Sequence, residues 1–215
     1  MWTILYILKD PTLLTAIRSE ISTAYSDAPF PSTLDVEKLV SLPLLQSTLT
    51  EALRLHMNFN LMRNVNAPIN MDGYTLRKGA MLQAPMLVAH YDEEAWGSEG
   101  HPASVFWAER HIRYKEERDE AGDVVRRREF VMAGRPSAYF PFGGGQQICP
   151  GRHFAKHEIL ITIALLVSKF EIEVVGWTKL DGSPSEREAG SDARFSGAGA
   201  MPPDRDLKMR WKKIK

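Results

Sequence analysis

The stretch F-G-G-G-Q-Q-I-C-P-G, residues 142–151, constrains this chain more than any other. It sets the sole cysteine, Cys149, between a run of three glycines and a Pro-Gly pair. An apolar segment with helical spacing follows over residues 152–169. Proline and glycine suit the first turn of a helix, so Cys149 belongs at or beside a helix N-terminus. Unpaired N–H groups and the positive end of the helix dipole there favour a thiolate over a thiol. A stabilised thiolate is a metal ligand or a nucleophile, whereas an ordinary lone cysteine is a small buried hydrophobe. Gly143, Gly144 and Gly145 let the backbone pass close to something flat and large.

A haem face meets that requirement, and at these residues the chain resembles the cytochrome P450 family of haem-thiolate monooxygenases. The family signature is F-x-x-G-x-[R/H]-x-C-x-G, which Phe142, Gly145, Cys149 and Gly151 match at the right spacing. The resemblance implies haem b with its iron held by Cys149, and a Gly151 N–H that donates to the sulfur. Gln147 stands where the family usually has an Arg or His that reaches a haem propionate. A neutral amide would hold that group less strongly than a charge-assisted contact.

Upstream, Pro43 opens a helix that continues to about residue 57, on which Glu51 and Arg54 share a face. Alone, such a pair is usually solvated. The apolar setting of Leu49, Leu53 and Leu55 favours burial instead, where each charge needs the other. The phrase L-L-Q-S-T-L-T-E-A-L-R-L resembles the family's E-x-x-R helix. A-W-G-S-E-G-H-P-A-S-V-F-W-A-E-R-H resembles the later phrase whose arginine, here Arg110, completes the cluster. Ala108 replaces the usual proline and His111 the usual aromatic. By this resemblance the cluster is structural and holds the cysteine loop in place. The D-G-Y-x-L-x-K-G-A texture from Asp72 resembles the small sheet beside the haem, in which Arg63 would reach a propionate and offset Gln147. The other reading of Arg63, an ordinary strand-edge arginine, stands beside it. Residues 58–62, with Phe59, Leu61 and Met62, would line the substrate side.

The remaining segments are read from local pattern. Residues 1–8 are apolar nearly all round and suit a buried helix fragment. Asp10 and Pro11 read as N-cap and first residue of a helix to about residue 25, with Leu13, Leu14, Ile17 and Ile21 on one face. Residues 26–32 form a connector and 34–41 a short helix. Turns fall at Asp72-Gly73 and Lys78-Gly79, and a short helix spans 85–91. Residues 115–128, charged and poor in aromatics, predict a mobile surface loop that includes the Arg126-Arg127-Arg128 run. After Cys149, the residues Phe154, Ile159, Ile163, Leu166 and Phe170 mark a buried helix. His153 and His157 lie at i and i+4 without a third ligand nearby and are not read as a metal site. A strand over 172–177, a Gly/Ser-rich connector over 182–200 reaching the substrate pocket and a closing strand over 206–211 complete the chain.

The expected fold is mainly α with small β-sheets, the C-terminal part of a cytochrome P450 fold, with residues 1–215 as one partial domain. By resemblance to the family's W-x-x-L phrase at Trp2, Leu5, Leu8 and Pro11, the oxygen-activating turn would precede Met1. Lys plus Arg equals Asp plus Glu at 27 each, which leaves no net field for nucleic acid. No apolar run is long enough to span a membrane. A single cysteine excludes an internal disulfide. The activity implied is hydroxylation of a lipophilic substrate with O2 and electrons from an NADPH-dependent reductase. The texture leans toward the steroid-hydroxylase and prostacyclin-synthase branch. A full-length relative would sit at the endoplasmic reticulum membrane through an N-terminal anchor. Two alternatives remain: an isomerase or dehydratase on the same fold, and a truncated, non-catalytic haem-binding product with little monooxygenase activity alone.

Overall fold

Aspartate and proline set the helix starts. In the computed structural model, which describes residues 1–26, 33–118, 122–132 and 137–214, α1 (Trp2–Lys9) ends at Asp10. The Asp10 carboxylate accepts from the N–H groups of Thr12 and Leu13 at 2.9 and 3.0 Å and so opens α2 (Pro11–Ser22). Asp35 caps α3 (Val36–Ser41) through the Lys38 N–H at 2.9 Å. The helix α4 (Pro43–His56) has Leu42 at its N-cap position, which offers no side-chain cap. Glu20 of α2 serves instead, accepting from the N–H groups of Leu44 and Leu45 at 2.9 Å each. A carboxylate thereby meets the positive end of the helix dipole. Apart from Ser26, the expected connector over 26–32 lies outside the described residues.

Helix α4 is the spine of the molecule. Of its 14 residues 11 are buried, so it has no wide solvent face and its charges must pair inside the protein. Its own Leu45 and, around it, Ile7, Ile17, Ile21, Leu39 and Leu160 are fully buried. Side chains of that kind stabilise a fold by about 1.5–3 kcal/mol each relative to exposure.

The chain then turns to short strands: β1 (Met57–Asn64), β2 (Ile69–Met71), β3 (Tyr74–Leu76) and β4 (Met81–Pro85). Strands β2 and β3 form a hairpin across Asp72-Gly73. The Lys78-Gly79 turn hands the chain to β4, which pairs with β1 and not with β3. Two short helices follow, α5 (Met86–His90) and α6 (Glu93–Trp96).

The residues expected to form a mobile loop instead form an antiparallel hairpin of β5 (Ile112–Arg118) and β6 (Val124–Phe130). Opposite charges face each other at Arg113–Glu129 and Glu116–Arg126, and although Lys115 stands opposite Arg127, each finds a carboxylate on the diagonal. Lys115 pairs with Glu129 at 2.8 Å and Arg127 with Glu117 at 3.1 Å, while Arg126 lies 4.7 Å over the Tyr114 ring. Cross-strand pairs supply the order that composition alone did not suggest. The Arg126-Arg127-Arg128 run is therefore strand, with Arg128 turned back toward Glu109.

Helix α7 (Arg152–Lys169) buries Leu160, Ile163, Ala164 and Val167, an i, i+3, i+4, i+7 face. Phe154 was expected on that face but is 73% exposed, because it belongs to the first turn beside the cysteine loop. Phe170 opens β7 (Phe170–Thr178), which pairs with β8 (Pro184–Ser185) and, after β9 (Ala198–Ala200), with the final strand β10 (Asp206–Lys213). The 182–200 connector is thus not featureless: β9 joins β1 along Met57, Asn58 and Phe59.

Candidate functional site

Two polar features meet at the end of α4. The first is a buried charge cluster. Arg54 donates to Glu51 through two nitrogens, Nε to Oε2 and Nη2 to Oε1, each at 2.8 Å. Arg110 adds its Nε at 2.7 Å from the same Oε1, and the His111 ring lies 3.4 Å from Oε2. None of these four side chains is more than 1% exposed.

The second arginine donors are also used. Arg54 reaches the carbonyls of His90 and Ala103, and Arg110 those of Trp96, His101, Pro102 and Val105. Burial by itself would push the Glu51 carboxyl up. Hydrogen bonds from Arg54, His111 and Arg110 outweigh it and bring the group down to about 2. The Glu51–Arg54 pair and its Arg110 partner are therefore buried and mutually satisfied. His111 is the member that sequence reasoning missed. It was visible as a histidine in an aromatic position, but nothing along the chain marked it as a neighbour of Glu51.

The second feature is the cysteine loop. Its backbone is folded by two turns, Gly143 N–H to Phe140 O at 2.9 Å and Ile148 N–H to Gly145 O at 3.2 Å, and closed by Cys149 N–H to Phe142 O at 2.9 Å. Gly143 and Gly145 have φ of +80° and +65°, a region that costs other residues about 1–2 kcal/mol. A Cβ at Gly143 would rest 3.8 Å from Phe59 Cζ and 4.0 Å from Leu61 Cδ1, so these two strand residues pack toward the loop. Gly151 stands as N-cap of α7, and a Cβ there would lie 3.8 Å from the Cys149 sulfur. Cys149 itself is exposed.

Arg63 ties β1 to the loop, donating to Gly144 O at 2.6 Å and to Met62 O at 2.8 Å. Arg63 and Gln147 line one open cleft of about 670 Å³, together with Met62, Asn64, Asn66, Met81 and Gln146. The six residues singled out from the sequence, Phe142, Gly145, Gln147, Cys149, Gly151 and Arg63, are thus brought to one loop and the strand beside it. Phe142 takes part through its carbonyl, which accepts from Cys149.

A third cluster was not anticipated. The His56 ring stacks on Trp2 at 3.7 Å and bonds Ser191 Oγ at 2.9 Å and Tyr6 Oη at 2.8 Å. Burial, then the nearby N-terminus and Arg54, hold His56 at about 3 and thus neutral. It joins α1, the end of α4 and the segment before β9.

Fold and loop together define a cysteine-bearing helical domain of known type. The cytochrome P450 family model matches residues 1–186, and the chain belongs to the cytochrome P450 family. It is 47% identical over 215 residues to cytochrome P450 monooxygenase calL of Penicillium decumbens, covering 99% of this chain and 38% of that protein. It is 32% identical to cytochrome P450 monooxygenase fsoE of Humicola fuscoatra, covering 100% of this chain and 39% of that one. A human 7-alpha-hydroxycholest-4-en-3-one 12-alpha-hydroxylase is 27% identical over 98% of this chain and 41% of its own length. The haem domain of cytochrome P450DA superposes with a TM-score of 0.69 at 20% identity, covering 100% of this chain and 40% of that one, and shows the shared fold. The chain therefore spans about two fifths of the length of the relatives it matches. The fold, mainly α with small sheets, agrees with a C-terminal P450 portion.

Proposed function

We propose that Cys149 is the iron ligand of a haem-thiolate monooxygenase and that this chain carries the ligand-bearing part of that enzyme. The observation that carries the reading is the exposed thiol of Cys149 on a glycine-relaxed loop anchored beside a buried, fully paired ion cluster. The residues present suit a haem. A soft sulfur donor is exposed at the loop end, and Gly151 leaves space beside it. The Arg63 guanidinium and Gln147 amide share the adjoining cleft and offer hydrogen-bond donors to carboxylates.

In this reading Cys149 ligates as thiolate and Gly151 N–H tunes the sulfur's basicity. Arg63 holds a propionate, with Gln147 giving a weaker neutral contact. Phe142 and Gly145 shape the loop. What haem supplies when bound is the activation of O2 with two electrons, here drawn from an NADPH-dependent reductase. Phe59 and Leu61, which pack toward Gly143, would put apolar side chains beside the loop, which suits a lipophilic substrate. The family likeness to a 12-alpha-hydroxylase acting on a cholestenone supports that class of substrate. Among the described residues no helix is long and apolar enough to cross a membrane. Residence at the endoplasmic reticulum membrane is accordingly proposed only for the whole enzyme.

A carbon monoxide difference spectrum of the reduced, haem-loaded chain tests the ligand assignment. A strongly red-shifted Soret band that disappears in Cys149→Ala is expected. The same band in both proteins would refute it.

A further inference from the structure

His90 is buried completely and lies at the last position of α5, between the charge cluster and the cysteine loop. Its two ring nitrogens face partners of opposite kind. Nδ1 is 2.9 Å from the Arg54 carbonyl, which can only accept, and the Phe140 N–H, which can only donate, is 3.2 Å from Nε2. This fixes the ring as the neutral Nδ1–H tautomer, donating to α4 and accepting from the loop entry.

Phe140 begins the turns of the loop: its carbonyl accepts from Gly143, and two residues on the Phe142 carbonyl accepts from Cys149. The His90 carbonyl in turn accepts from Arg54 Nη1, so the same residue is gripped by the cluster through its backbone. Tyr139 stacks on the ring at 5.5 Å and donates to Thr50 O of α4 at 3.3 Å, which closes the connection from the other side.

We propose that His90 is the positioning residue that transmits the rigidity of the Glu51–Arg54–Arg110 cluster to the cysteine loop, by accepting from Phe140 N–H. The proposal rests on the reading of Cys149 as ligand for its functional meaning, though its geometry does not involve the sulfur. Protonation of His90 would place an N–H against the Phe140 N–H and break the link. Burial first, then the Arg54 charge, keep the ring neutral, with the bond to the Arg54 carbonyl opposing them. The titratable groups facing it are Arg54 from α4, whose charge Glu51 offsets, and Tyr139 from the loop entry, with Tyr91 next to it in sequence.

Two variants of the full 215-residue chain test this. His90→Phe keeps a ring but neither polar contact. His90→Gln places an amide oxygen about where Nε2 stands, can accept from Phe140 and does not titrate. Amide hydrogen exchange, expressed as protection factors, is read at Phe140 and at core amides of α2. His90→Phe should lower protection at Phe140 about tenfold while the α2 amides keep theirs, and His90→Gln should restore it. Acidification from pH 6.5 toward 4 should reduce Phe140 protection relative to the α2 amides in the parent and not in His90→Gln. If His90→Phe does not fold, the acid comparison decides alone.

In haem-loaded samples the thiolate-type carbon monoxide band should fall at least twofold in His90→Phe and recover in His90→Gln. Unchanged Phe140 protection in a folded His90→Phe, or the same acid response in His90→Gln as in the parent, overturns the proposal. A band that survives Cys149→Ala would instead overturn the ligand assignment and leave the exchange results standing.

Discussion

The charge cluster and the cysteine loop sit on neighbouring elements and are built on opposite plans. Glu51, Arg54, Arg110 and His111 lie in the interior with almost no solvent contact, and the arginines reach six backbone carbonyls besides the shared carboxylate. Residues 145–151 are exposed, held by backbone turns and by Arg63. The cluster is closed on itself, whereas the loop leaves the Cys149 sulfur exposed and has little packing of its own. Under the proposed ligation by Cys149 the loop must stay open to its cofactor, and its precision would have to be supplied by something buried. His90, Arg63 and Tyr139 are the side chains that connect the loop and its entry to α5, β1 and α4.

The largest effect should come from opening the cluster. Glu51→Gln removes the carboxylate that faces two buried guanidinium groups, and breaking a buried pair in this way costs about 3–5 kcal/mol. Denaturant unfolding of the parent and variant measures it. A loss below about 1 kcal/mol would mean that the cluster is far better solvated than its burial implies, and the contrast with the loop would fail.

Acid should attack the same side of the contrast. Glu51 has its pKa lowered in the fold from 4.5 to about 2, so its contribution is present above 4.5 and is lost as pH falls toward 2. His56 and His90 are lowered from 6.5 to about 3 and about 4. The unfolded chain therefore binds their protons first, and stability falls with pH from about 6.5 downward. All three shifts have one sign. Stability measured by denaturant should decline from pH 6.5 and more steeply below 4.5, and replacing His56 and His90 by Gln should flatten the upper part of that curve. A maximum in stability near pH 5 would contradict the assignment.

What could be read along the chain divides along this line too. Spacing made Glu51 and Arg54 share a face, and the family-like E-R pair at 109–110 supplied Arg110. Asp10 and Pro11 announced the start of α2 for local reasons. Glu20 as the cap of α4, 24 residues away, left no local mark, because only packing brings α2 across it. His90 reads as an ordinary histidine in H-Y-D, since its role depends on two backbone groups 36 and 50 residues distant. The β5–β6 hairpin was misread for a different reason. Charge density argues for a loop when counted, but for a sheet when opposite charges fall within reach across the strands, directly or on the diagonal. A double-mutant cycle on Lys115 and Glu129 should return about 0.5 kcal/mol or less, the usual worth of an exposed pair.

Within the loop, Gly143→Ala separates backbone geometry from side-chain packing. The new methyl would meet Phe59 at an ordinary contact distance of 3.8 Å, so the cost is that of holding alanine at φ +80°. About 1–2 kcal/mol is expected, with loss of the thiolate-type band exceeding the loss of stability because the strain is released by moving the loop. A variant as stable as the parent would show that the loop already samples other conformations.

Cys149→Ser sharpens the comparison at its other extreme. The side chain is exposed, and the change replaces a soft thiol with a hard hydroxyl of similar shape at an exposed site. Thermal or denaturant stability of the haem-free chain should change by less than about 0.5 kcal/mol, while the red-shifted carbon monoxide band should vanish. The residue with the greatest chemical consequence would then be the one with the least structural weight, and Glu51 the reverse. A Cys149→Ser variant that lost several kcal/mol without haem would mean that the sulfur is packed, and the loop would have to be redescribed as part of the core.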